Sequence, residues 1–165
     1  MPLIEAARWV VAGLLASVLV VACVTDIKQR IIPNWTVAAV IALYVPWVFI
    51  GQGVSVPLSL AAAAIALLAT VPFCAIGLLG PGDSKLFTAV ALFAGLGKLG
   101  ELSLATAMAG GILALVMILS HPTRVLVMVS MRGRASFGQN VPYGVAIASG
   151  ALVVVFGGLF GIPYN

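Results

Sequence analysis

Only two aspartates occur in the chain, Asp26 and Asp83, and each has a lysine two positions later, Lys28 and Lys85. Two carboxylates brought together cannot both ionise cheaply, so such a pair shares one proton. The charged member can then take a proton from water while the neutral member donates to a substrate carbonyl. Titration would belong to the pair, not to either residue. A plainer reading is two solvated carboxylates at helix ends, and the shared D-x-K pattern leaves both readings open. Gly80-Pro81-Gly82-Asp83 weighs toward chemistry, because it presents a carboxylate from a backbone with little side-chain bulk on either side. Such a loop lets another peptide backbone approach the acid closely. The sequence holds neither a histidine cluster nor a phosphate-binding loop, so no metal, no cofactor and no nucleic acid is expected at this site.

The elements that must position these acids are hydrophobic. Of 165 residues, 63% are hydrophobic and 7% charged, and the mean hydropathy is +1.25, which excludes a water-soluble domain of ordinary composition. The bilayer is the expected solvent, and a membrane crossing needs roughly 20 apolar residues, so the chain has room for about six crossings and no second, soluble domain. Six apolar stretches can be marked, at Trp9 to Thr25, Trp35 to Ile50, Leu58 to Leu79, Leu86 to Leu96, Leu102 to Leu119 and Val141 to Ile162. The fourth is short for a full crossing, and a start within a protein-lined recess would explain it. The expected fold is therefore an all-α integral membrane protein of about six helices, one domain over residues 1–165.

Orientation follows from the basic residues. Lys28 and Arg30 lie in the first gap, Lys85 in the third, and Arg124, Arg132 and Arg134 in the fifth, while the N-terminus and fourth gap carry only Arg8 and Lys98. Odd gaps are thus expected at the cytoplasmic face, with both termini on the outer, periplasmic side. Asp26 and Asp83 then share the cytoplasmic face. The formal charge of +4 reads as this topology signal and as attraction to anionic lipid, notably around the short apolar run Val125 to Met131, which suits the headgroup level. His121 reads as an ordinary interfacial residue. Cys23 and Cys74, in no metal or redox spacing, read as small packing residues. Val20-Val21-Ala22-Cys23 has the look of a lipoprotein cleavage box, but Glu5 precedes it in place of a basic cluster and more membrane helix follows.

Three motifs in this order carry a family resemblance. Gly80-Pro81-Gly82-Asp83-Ser84-Lys85 resembles the G-x-G-D-x-K signature of the type IV prepilin peptidases. Asp26 through Ile31-Ile32-Pro33-Asn34 is similar to the segment after their first catalytic aspartate, ending in I-P-N, and Val141-Pro142-Tyr143-Gly144 resembles the P-Y/F-G element that opens their last helix. The resemblance implies an aspartic protease of the bacterial inner membrane, with Asp26 and Asp83 as its dyad. Its substrate would be a prepilin, with a basic leader and an N-terminal apolar helix, cut at the cytoplasmic face. Larger members carry an insert with paired C-x-x-C motifs and methylate the new N-terminus; this sequence has neither, and is similar to the short tight-adherence (Flp-type) peptidases.

Around the aspartates, Gly80, Gly82 and Lys85 are expected to shape the site, with Lys85 biasing Asp83, meeting a substrate carbonyl, or only anchoring its helix at the headgroups. Pro33 fits the first position of the second helix with Asn34 beside it, Pro142 fits the same role in the sixth, and Tyr143 and Gly144 are expected beside the active-site loops, the glycine for close packing. Pro81 would stiffen its loop. Two other classes of function compete: a proton-coupled carrier, which would hold its acids near the bilayer midplane on long helices, and a non-catalytic scaffold for pilus assembly.

Overall fold

The computed structural model describes residues 2–50, 55–120 and 143–159. Among them the fold is all-helical, with five helices: α1 (Pro2–Gln29), α2 (Asn34–Phe49), α3 (Val56–Ala75), α4 (Pro81–Ser120) and α5 (Tyr143–Leu159). Three contain spans long and apolar enough to cross a membrane, Leu3–Gln29, Val56–Ala75 and Pro81–Met117, whereas α2 and α5 are apolar but shorter. Large hydrophobic side chains such as Leu3, Phe49, Leu68 and Leu119 stand on the outside, as they do where lipid replaces water around a bundle.

The fourth and fifth apolar stretches are one element. The segment around Lys98, expected as an outer gap, is helical, and among the α4 residues Gly95 alone departs, at φ 64 and ψ 178. That conformation is open essentially to glycine only, so one residue makes the bend and no loop is needed. Lys98 is accordingly not in a solvated turn: it is 5% exposed and lies 3.9 Å from Glu101 one turn on. The arms 81–94 and 96–120 bend back toward each other, because Phe87 and Thr106 line one cavity although a straight helix would hold them about 28 Å apart.

The first arm of α4 is the centre of the bundle. Residues Ala89 to Gly95 are all buried, as expected of a helix apolar on every side. This is the protein-lined setting that the short fourth stretch required. Tyr44 and Trp47 of α2 pack on Phe93, each at 5.6 Å between ring centroids, and α1 turns Leu15, Leu19 and Ala22 inward at helical spacing. The second arm meets α5 through small residues: a Cβ on Gly110 would touch that of Ala146 at 3.6 Å, and one on Gly150 would overlap Thr106. Such close approach is how helices associate where burial from water contributes nothing.

Candidate active site

Asp26 lies in the last turn of α1 and Asp83 in the first turn of α4. Both are buried, at 6% and 8% exposure, so neither is a solvated helix-end carboxylate. The turns that carry them pack together, since Gly82 lies against Ile32 and Lys85 reaches Asn34, which the sequence positions alone do not require.

Each carboxylate is held by a glycine amide at a helix N-terminus. Gly80 N donates to Asp83 Oδ2 at 3.2 Å, and Ser84 N donates to the Gly80 carbonyl at 3.1 Å. Gly80 is thus the N-cap and Asp83 the third helical residue reaching back to it, one half of a capping box. Pro81, between the two glycines, occupies the first helical position, where a missing N–H costs nothing and the fixed φ suits the helix. Asp26 sits at the negative end of its own helix dipole and finds its donor elsewhere: Gly144 N, in the first turn of α5, donates to Asp26 Oδ2 at 2.9 Å. Amides at a helix N-terminus are favourable partners for an anion. Asp83 Oδ1, by contrast, is buried with no hydrogen-bond partner among the described residues.

The glycines are required by close approach. A Cβ on Gly80 would lie 2.8 Å from Asp83 Oδ2, one on Gly144 2.8 Å from Asp26 Oδ2, and one on Gly82 3.2 Å from Ile32 Cβ. Gly82 therefore lets the turn after α1 pack against the start of α4. That turn is shaped by Arg30 at φ 55, whose N donates to the Asp26 carbonyl at 2.9 Å, in the manner of a left-handed helix cap. Pro33 sits one position earlier than expected. It is the N-cap of α2, not its first helical residue, and its carbonyl accepts both Thr36 N at 3.0 Å and Thr36 Oγ1 at 2.7 Å. Lys85 is exposed and donates to Asn34 Oδ1 at 3.3 Å, so it bridges the Asp83 helix to the turn following Asp26. Tyr143 is half-buried beside Gly144. Pro142, His121 and the Val125 to Met131 run lie outside the described residues.

Sequence reasoning missed two supports. Cys23 Sγ lies 3.8 Å from the Gly144 carbonyl and Cys74 Sγ 3.7 Å from the Gly80 carbonyl. Both thiols, read as packing residues, therefore face the same two glycines whose amides hold the aspartates. The spacing of Cys23 and Asp26, one turn apart on α1, was a local signal for the first; nothing local marks the second. Ser84 is buried beside Asp83, and its Oγ lies 2.6 Å from Thr70 Oγ1, which ties α3 to the Asp83 turn. Among the described residues, no three His, Cys, Asp or Glu side chains are grouped to hold a metal ion.

A family model described as the type IV leader peptidase family matches residues 13–119. The chain belongs to the type IV leader peptidase family. The matched residues include Asp26, Ile32-Pro33-Asn34 and Gly80 through Lys85, and end before Tyr143 and Gly144. No curated protein and no solved structure matches the chain. Membership in the leader peptidase family implies a peptidase acting on a prepilin, and its apolar helices agree with a membrane protein.

Proposed function

We propose that this leader peptidase is an aspartic endopeptidase of the bacterial inner membrane. It crosses the bilayer about six times, counting the two arms of α4 separately. Asp26 and Asp83 activate water at the cytoplasmic face and remove the basic leader of a small, Flp-type prepilin. One carboxylate accepts a proton from water as its oxygen attacks the scissile carbonyl; the other, protonated, donates to the carbonyl oxygen. Collapse of the tetrahedral intermediate returns a proton to the leaving amine and restores the shared-proton pair. The glycine amides leave the second oxygen of each carboxylate for this work.

The observation that carries the reading is the pairing: two buried aspartates on turns that pack together, each steadied through one oxygen by a glycine amide, with Asp83 Oδ1 buried and unpartnered among the described residues. It favours a protease over a carrier, because the acids lie in terminal turns of helices and not at mid-helix.

Asp26→Asn and Asp83→Asn test it. An amide is nearly isosteric but can neither take the proton nor share one, so each variant should lose leader cleavage by several orders of magnitude. The double variant should be little worse than either single one, because residues acting as a unit lose activity non-additively. Co-expression with a prepilin, read by pilin mobility on a gel, decides. Normal processing by either single variant eliminates the dyad; a carrier would lose proton flux while processed pilin still appeared.

A further inference from the structure

A cleft of about 410 Å³ opens on the flank of the bundle. Helices α3 and α5 both pack on α4 without an extensive contact with each other, and the cleft is the space between them, floored by the two arms of α4. Its walls are Phe73 of α3, Phe87 and Ala107 of α4, and Tyr143 of α5, with Leu79 at the end of the turn after α3. The lining is overwhelmingly apolar, and Phe73 and Ala107 on its rim are exposed, so it opens sideways toward lipid.

One end of the cleft reaches residues adjacent to the candidate active site, although neither aspartate lines it. Leu79 directly precedes Gly80, the donor to Asp83, and Tyr143 directly precedes Gly144, the donor to Asp26. From there the cleft runs along the helices: Phe87 lies one turn beyond Asp83 on α4, about 6 Å further along the axis, and Ala107 lies on the returning arm. A polypeptide occupying it has lipid on its other side, where no water can satisfy a free N–H or carbonyl. It must therefore be helical and apolar along the cleft, and can leave helical geometry only at the end where the aspartates stand.

We infer that this cleft receives the apolar helix that follows the scissile bond of the prepilin, an assignment that rests on the protease reading above. The side chains on one face of that helix fill the cleft while its backbone stays on the lipid side. Arriving laterally within the membrane, it brings the residue at its first turn to the two carboxylates. The same geometry makes cleft shape a determinant of which pilins are processed.

The test is site-specific photocrosslinking in native membranes. p-Benzoylphenylalanine is placed at Phe73 or at Leu78, a second large lining residue that is exposed, in Asp26→Asn protein co-expressed with the intact prepilin, with Leu68 and Val153 as controls, at 72% and 64% exposure and outside the cleft lining. The cleft positions should give adducts that map to the pilin's apolar helix, several-fold more than the controls. Lipid adducts alone from the cleft, or equal pilin adducts from Leu68 and Val153, would overturn the inference. Each crosslinker variant is also made with Asp26 intact, so that its cleavage of prepilin reports folding. As a second arm, Ala107→Trp should raise KM for the prepilin at least tenfold while kcat changes little; an unchanged KM counts against the cleft. If the unsubstituted protein does not cleave prepilin at all, the protease reading fails. If it cleaves and the cleft gives no pilin adduct, only the cleft assignment fails.

Discussion

Replacing Gly144 by alanine places a methyl group 2.8 Å from Asp26 Oδ2 and 3.2 Å from Asp26 Cβ and Cγ. Ordinary contact begins near 3.4 Å, so the carboxylate or the start of α5 must move by about 0.6 Å. Neither can move freely, because the same glycine amide donates to that oxygen at 2.9 Å in a buried setting. Losing a hydrogen bond to a charged group costs about 1.5–3 kcal/mol, which corresponds to roughly 10- to 150-fold in rate at 1.36 kcal/mol per decade. A misplacement approaching 1 Å at a reacting group costs about 100-fold by itself, which lies within the same range. Gly144→Ala should therefore process prepilin about 10- to 150-fold more slowly while still accumulating in the membrane. The assay is a time course of pilin mobility after co-expression, normalised to the amount of peptidase. Gly13→Ala is the control: no atom lies within 4 Å of its added methyl, and its rate should be unchanged. Wild-type processing by Gly144→Ala would refute the claim that this amide sets the position of Asp26.

Gly95→Ala forces a side chain onto φ 64 and ψ 178 and should cost about 1–3 kcal/mol, read as a lower melting temperature in detergent and reduced accumulation. Activity reporters check orientation: one fused after Asn165 should work only if it is active outside the cytoplasm, and one inserted near Gly133 only if it is active inside, as the distribution of lysine and arginine requires. Pilin processed by this protein alone should carry a free amino terminus, because no methyltransferase-like insert is visible in the sequence; mass spectrometry of the mature N-terminus decides.

The class of solvent and the turn that carries Asp83 were legible in the chain because both are local. Long apolar stretches announce a membrane whatever they pack against, and the G-x-G-D segment spells out its own geometry, since Gly80, Pro81 and Asp83 form the cap, first and third positions of one helix turn. Even the second glycine's purpose needed the fold, as its neighbour is Ile32. Composition also misread Lys98, whose charge suggested a loop where the bend is made by Gly95 alone.

Which residues meet could be read only from the folded molecule. The donor to Asp26 stands 118 residues away in Gly144, Lys85 turns to Asn34 and not to Asp83, and both thiols face the two glycines that hold the acids. In a soluble protein an apolar stripe on each helix would have signalled the inward face. Here lipid is as apolar as the core, so exposed Leu68 and buried Leu86 look alike in the sequence, and the inward faces are chosen by close packing of small residues and by the few polar groups that need one another.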